Sequence, residues 1–596
     1  MGAHGDTEGA RGWPRPLRAA LRHPLGGASV LAVLVFLTTL GNAPVLDDGW
    51  AVLDNPLVRT LDLGRIFGAQ YGHAGGPTLQ GPWRPLATLT WALQYAIHGR
   101  APAGYHLVNV VLHALATALV VLLARRVLEA AAPSRAAAGA LGAGLLFAVH
   151  PAHVEAVAPI VGRTDLLATA GGLGALLLAL GPRRPARLAG AFAALLAGML
   201  AKETAASVPL LFLAVTFTVP AAAGLRSAPG LRHPEGRRAL VAAAGVFAVL
   251  AAAVGAYLLL RPGAAVAPVE SRWFGSWPPA VVWNTMTRAL AEYLRVLVFP
   301  GPLSTDFGYA ARIPFTLRFG AESALATAIW GAVLAAGLAT VRRAPLFSLA
   351  VLWVFAALLP VLNVVPIGVL MAERLLYLPS AGACLWAGQV PAALLERLRA
   401  PPARRAVAWA GALVLCALAA RTLARSADWR TPLALWEAEL RSAPRNPVVN
   451  NNLAVEYTAR GEARLALERL DVALSAAPAY WRAWVNRGIA LDRLGDAAGA
   501  VEAFARAGTL APREASPHYF LGRAFARRGD CPRALAALAQ AERLQPEDPR
   551  TLLAAADCLA RLGRADEARE RLRRAAALDP ADPEPGRRLA ALEAAR

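Results

Sequence analysis

Eleven apolar runs crowd the first 424 residues of this 596-residue chain, and few architectures tolerate that much unbroken hydrophobicity. They lie near 28–45, 105–124, 138–149, 165–180, 187–200, 205–223, 239–260, 323–340, 345–362, 376–396 and 406–422. With 56% apolar residues, 17% charged residues and a mean hydropathy of +0.43, the pattern calls for a bilayer rather than a string of soluble domains. Several runs fall short of the ~20 residues of an ideal span, so short or tilted helices are expected among about eleven crossings.

The net charge of +21 does not mark a nucleic-acid binder. Residues 441–596 hold 25 Arg and 20 acidic residues, and the first 440 hold 36 basic and 20 acidic. The excess therefore sits in the apolar part, in clusters between runs. Arg125 with Arg126, Arg183, Arg184 and Arg187, the stretch 226–238, Arg342 with Arg343, and the stretch 397–405 fall at every second boundary after a basic N-terminus. That alternation is the positive-inside pattern, with residues 1–27 in the cytoplasm and the C-terminal tail outside it. Between 262 and 322 the chain must start and end on the outer side, by an even number of crossings or by an amphipathic surface segment such as 286–299. Basic character is nearly all Arg, with Lys202 as the one lysine, and the Ala-Arg-Gly-Pro bias suggests a GC-rich bacterial genome. Cys384, Cys416, Cys531 and Cys558 show no metal-ligand spacing and are expected as buried thiols.

Beyond about residue 440 the pattern becomes paired amphipathic helices. Pro444, Pro478, Pro512, Pro546 and Pro580 recur every 34 residues, and Gly461, Gly495, Gly529 and Gly563 keep the same period at the turns. This is the tetratricopeptide signature: four repeats over about 445–580 and a charged cap, forming an α-solenoid over 445–596. Such an array offers a concave surface to a peptide or partner protein.

Unusual polar residues of the apolar part gather at the outer-side boundaries. Asp47 and Asp48 follow the first run, costly there unless something meets them, and either is placed to act as general base toward a hydroxyl acceptor. His150, His153 and Glu155 cluster in a second segment without the HExxH metal spacing, and Pro151 beside them marks a helix start or break. Arg163 and Asp165 follow, placed to pair with each other or to face a ligand. Lys202–Glu203 and Glu373–Arg374 with Tyr377 complete the set, with Arg84 on the same side. Arginine and lysine at a membrane surface suit the phosphate of a lipid-linked substrate, and Arg374, Lys202 and Arg84 are the candidates. The bland alternatives are snorkelling cations and ion pairs between sequence neighbours.

Several of these stretches, "DDGWAVLDNP", "HPAHVEAVAPIVGRTDLLA", "AKETAASVPLLF", "YLRVLVFPGPLSTDF" and "NVVPIGVLMAERLLYLPSAG", stand in order ahead of tetratricopeptide repeats. Together they resemble the transmembrane and tetratricopeptide repeat-containing family over roughly residues 28–580. The resemblance implies an all-α protein with a polytopic GT-C type glycosyltransferase domain over 28–424, followed by the repeats. It implies a polyprenyl-phosphate sugar donor, transfer of mannose or another hexose to Ser or Thr hydroxyls, and work on the outer face. Carried over by motif, Asp47 and Asp48 would be the acidic pair. His150, His153, Glu155, Arg163, Asp165, Glu203, Glu373 and Tyr377 would surround the sugar or acceptor. In a bacterium the acceptor would be a periplasmic or secreted protein held near the repeats, and the protein would sit in the inner membrane. A divalent cation is compatible with this chemistry, though no spacing demands one. The competing readings are transfer to a lipid or envelope glycan and a non-catalytic membrane-anchored scaffold.

Overall fold

The computed structural model describes residues 24–68, 83–225, 234–261, 278–305, 318–363, 369–578 and 582–594. The N-terminal arginines, most of the 226–238 basic stretch, parts of the expected outer loops (69–82, 262–277, 306–317, 364–368) and Pro580 lie outside the described residues. All regular elements among the described residues are helical. They form two compact units, one ending at Thr431 and the next starting at Pro432.

The first unit is a polytopic helical body. Its principal helices are α1 (Pro24–Phe36), α2 (Pro85–His98), α3 (Pro102–Ala131), α4 (Ala136–Ala148), α5 (Arg163–Ala179), α6 (Pro185–Ala201), α7 (Val208–Thr218), α8 (Pro234–Leu260), α9 (Pro279–Val298), α10 (Ala321–Ala339), α11 (Pro345–Leu358), α12 (Tyr377–Arg397) and α13 (Pro401–Asp428). Six are long and apolar enough to cross a bilayer: α3, α5, α8, α10, α12 and α13 with their helical extensions. A seventh candidate is α4 continued, after a 53° bend, by Pro151–Val157. Four shorter apolar helices cover Leu25–Gly41, Pro185–Ala201, Glu203–Thr218 and Pro345–Val361. Only 6% of the apolar stretch of α13 is covered by the rest of the chain, and Trp409 and Leu413 on it are 74% and 71% exposed. Such a surface suits a lipid environment. Cys416, expected as buried, is exposed on this same helix, because α13 packs through its last turns and leaves its middle uncovered.

Helix α9 occupies the stretch expected to hold an even number of crossings or an amphipathic segment, and it is amphipathic. Met286, Leu290, Tyr293 and Val296 on one face pack with Val354, Leu358, Met371 and Leu376. Pairings α1–α3, α3–α4, α4–α12, α5–α6 and α11–α12 close the body.

The second unit begins with α14 (Pro432–Ser442), whose Trp436 packs with Val449 and Leu453 of the next helix. Four helix pairs follow: α15 (Pro447–Ala459) with α16 (Ala463–Ala476), α17 (Trp481–Arg493) with α18 (Ala497–Leu510), α19 (Ala515–Arg527) with α20 (Cys531–Leu544), and α21 (Pro549–Arg561) with α22 (Ala565–Leu578). A cap, α23 (Glu584–Ala594), closes the array. Asn446, Asp496, Asp530 and Asp548 cap helix N-termini by accepting backbone N–H bonds. Each intra-pair turn puts its glycine at positive φ, from 75° to 84°, a conformation costly for residues with a Cβ. Gly529→Ala is therefore expected to destabilise this unit by about 1–2 kcal/mol. Gly586→Ala, in an open helical position, is neutral or slightly stabilising. Thermal unfolding of the two variants in detergent checks this contrast.

Candidate functional site

After α1 the chain narrows into a 3₁₀ turn, Leu37–Gly41, and reaches Leu46 in the left-handed region at φ 51°. This strained turn sends Asp47 and Asp48 in opposite directions. The Asp48 carboxylate is fully buried and accepts two backbone N–H bonds, from Val45 (3.0 Å) and Val161 (2.9 Å). It thus ties the first loop to the loop that opens α5. Burial pushes its carboxyl up to about 7, although the backbone donors act the other way. Asp47 is exposed, and its Oδ1 accepts the indole N–H of Trp50 at 3.0 Å. Of the two aspartates, Asp47 is the one a ligand can reach.

The His150 segment is built as packing. His150 caps the 3₁₀ turn Pro151–His153, accepting the N–H of Ala152 at 3.3 Å, and its Nε2 lies 3.2 Å from the carbonyl of Leu297. His153 bridges the carbonyl of Phe147 and the hydroxyl of Ser380, both at 2.8 Å. Tyr377 meets His113 at 2.7 Å, and its ring packs edge-on to Phe147 and His153. His113 was not evident from sequence because it sits in mid-run on α3, with nothing polar beside it. Among the described residues, no three His, Cys, Asp or Glu side chains are grouped as metal ligands would be.

Opposite charges adjacent in sequence do not pair with each other. Neighbours on a helical turn point to different sides, so each finds its partner on another element. Lys202 donates to both oxygens of Asp165 at 2.7 Å, and both side chains are buried. Arg374 pairs with Glu155 through its guanidinium and through its backbone N–H at 3.0 Å. Glu373 faces Arg425 at 3.3 Å, and Arg84 reaches Glu203 at 3.4 Å. Arg163 does not pair with Asp165: it donates to Asn109 Oδ1 (3.0 Å) and the Tyr105 carbonyl (2.9 Å) in a fully buried niche. Gly162 makes this layout sterically allowed. A Cβ there would lie 2.2 Å from the carbonyl oxygen of Ala156, so only glycine lets the turn before α5 lie against the turn carrying Glu155.

The open members of this network lie together. The Arg374 side chain is 30% exposed, and it feels Glu155, Asp165 and Asp47. Arg84 and Glu203 are partly exposed, and Glu203 also feels Lys202 and Arg261. Lys202 stays behind them; burial lowers its ammonium to about 8 against the opposing pull of Asp165. The result is an open carboxylate in the field of the partly exposed Arg374, backed by buried ion pairs. Arg261 and Arg425 were not singled out in the sequence. Arg261 stands directly after an apolar run, a readable signal. Arg425 looks like one more basic residue at the end of the last run.

Two measurements test this layout. Asp165→Asn strands the Lys202 ammonium and is expected to cost about 3–5 kcal/mol, while Asp165→Asn with Lys202→Met recovers much of the loss; thermal unfolding in detergent reads both. For Asp48, the folded chain keeps a proton from the ordinary 3.8 up to about 7, while the unfolded chain releases it. Stability therefore falls with rising pH across that window and levels above it. Asp48→Asn removes this component of the slope and also sets an amide N–H₂ against a backbone N–H, which lowers stability at every pH. Unfolding midpoints recorded against pH for both chains give the comparison.

The tetratricopeptide repeat family model matches residues 451–515 and 519–583. Protein O-mannosyl-transferase Tmtc1 of Drosophila melanogaster is 47% identical over 149 residues, 24% of this chain and 16% of that protein. Protein O-mannosyl-transferase F38B6.6 of Caenorhabditis elegans is 26% identical over 466 residues, 76% of this chain and 62% of that protein. Protein O-mannosyl-transferase Tmtc3 of Drosophila melanogaster is 29% identical over 501 residues, 72% of this chain and 52% of that protein. The chain thus spans less than two thirds of the length of these curated relatives. Among solved structures, MamA aligns with 25% of this chain and 87% of its own at 21% identity and a TM-score of 0.23. A thermophilic repeat protein of Thermus thermophilus, TTC0263, aligns with 30% of this chain and 95% of its own at 25% identity and a TM-score of 0.25. The three sequence relatives are animal proteins, whereas the composition pointed to a bacterial source. The chain is thus similar to animal protein O-mannosyl-transferases, and its C-terminal part matches the tetratricopeptide repeat.

Proposed function

We propose that the chain is a GT-C type membrane glycosyltransferase that moves a hexose, mannose first among the candidates, from a polyprenyl phosphate to a Ser or Thr hydroxyl of a protein. The observation that carries this reading is the exposed Asp47 carboxylate in the field of the partly exposed Arg374, with Arg84 and Glu203 in the same network. The acceptor oxygen attacks the anomeric carbon, and its proton passes to Asp47. The bond from that carbon to the phosphate oxygen breaks, and polyprenyl phosphate leaves with the bonding electrons. One displacement inverts the configuration. Arg374 and Arg84 stabilise charge on the departing phosphate, and preorganised cations there lower the barrier without rearranging. A phosphate leaving group needs no strong acid, so one open carboxylate suffices.

Asp48, Lys202, Asp165, Glu155 and Glu373 hold that arrangement, and His150, His153, Tyr377 and Arg163 hold the elements behind it. Counting the four shorter apolar helices as crossings with the seven long or bent candidate spans would make eleven, which together with the alternating arginine clusters supports a cytoplasmic N-terminus. The active site and the repeats then lie outside the cytoplasm of a bacterial inner membrane, where the repeats hold the acceptor protein.

Purified chain in nanodiscs, supplied with polyprenyl-phosphate mannose and candidate secreted proteins, tests the reading by mass spectrometry. A hexose increment on Ser or Thr is expected from the wild type. Asp47→Asn should lose at least two orders of magnitude in rate at unchanged thermal stability, in line with removal of a general base. Retained transfer by Asp47→Asn would refute the assigned base, and no transfer from any lipid-linked sugar by folded wild type would refute the activity.

A further inference from the structure

The four cysteines are not equivalent. Cys384 and Cys416 stand on α12 and α13 of the first unit, but Cys531 and Cys558 meet in the repeat array. Cys531 is the first residue of α20, just after its cap Asp530, and Cys558 lies in α21 of the following repeat. Both are buried in one small cluster with Ala534, against which Phe525, Ala526 and Leu535 pack. Helices α20 and α21 pack against each other, so a covalent link here joins the third repeat to the fourth.

We infer that Cys531 and Cys558 are a disulfide-forming pair that staples the third and fourth repeats together. Neighbouring repeats hold each other by their shared interface alone, so a bond across one interface removes an opening mode available to the array. Burial pushes the Cys558 thiol up to about 12, which makes the closed, reduced pair a poor nucleophile. The bond therefore forms while the two repeats are folding or briefly apart. A small-molecule or protein disulfide serves as oxidant. One cysteine thiolate attacks it, releasing one thiolate of the oxidant and leaving a mixed disulfide. The other cysteine thiolate then attacks the protein-side sulfur and expels the second. Two protons leave the cysteines, and two electrons pass to the oxidant. Occurrence of the bond in the cell rests on the outer-side placement of the repeats; the ability to close does not.

Full-length chain, reduced and then exposed to oxidised glutathione in detergent, is digested without reductant and read by mass spectrometry. The expected product is a linked peptide pair containing Cys531 and Cys558, lighter by two hydrogen atoms than the separate peptides. It should be absent after reduction and absent in Cys531→Ala and Cys558→Ala, which keep the cluster apolar. The oxidised wild type should unfold at higher temperature than the reduced chain, and neither variant should show that rise. Glutathione adducts alone, or links that use Cys384 or Cys416 as readily, would overturn the pairing. Chain alkylated at the moment of cell lysis separates the two readings: a 531–558 link supports both. Closure in vitro with two alkylated thiols from cells overturns the outer-side placement and leaves the pair intact.

Discussion

An ionised side chain buried among apolar helices has to meet a countercharge or hydrogen-bond partners from elsewhere in the chain, and the membrane unit is organised by that requirement. Lys202 reaches Asp165, Arg374 reaches Glu155, and Arg425 reaches Glu373, each across a gap in the chain. The broken stretches 150–165, 202–207 and 369–376 would otherwise be loops free to rearrange. Breaking one such pair leaves an uncompensated charge, which is far more costly than never having had the pair. The interrupted ends of several helices are thereby held as one surface.

That surface divides labour between groups of like charge. Asp48 gives both its oxygens to backbone N–H groups and holds two loops, while its neighbour Asp47 stays in reach of solvent. Lys202 is locked behind Asp165, whereas Arg374 keeps part of its guanidinium open. In each case burial separates the shielded group from the open one.

The repeat array follows a different logic. Its helices are short, and each pair buries its apolar face only against the next pair. Positive-φ glycines at the turns and acidic or Asn caps at helix starts are local rules, satisfied within each repeat. For this reason the array was fully legible as a 34-residue period, down to the turn glycines. The membrane unit was legible only in outline: positions of apolar runs and the helix break at Pro151, with an amphipathic segment only one of two readings for 262–322. Its pairings are long-range, and nothing in the spacing of Glu373 and Arg425 announces that they meet.

Sequence alone therefore determined the class of solvent, the helical content and the repeat number. Hydropathy and period are properties of neighbouring residues, so they survive without a fold. Tertiary structure decided which aspartate is open, which cation is shielded and which charges are partners. It also decided that Cys416 is exposed while Cys531 and Cys558 share one buried cluster. Those outcomes depend on which helices come to lie side by side, and a buried group's environment is set by the elements around it rather than by its neighbours in the chain.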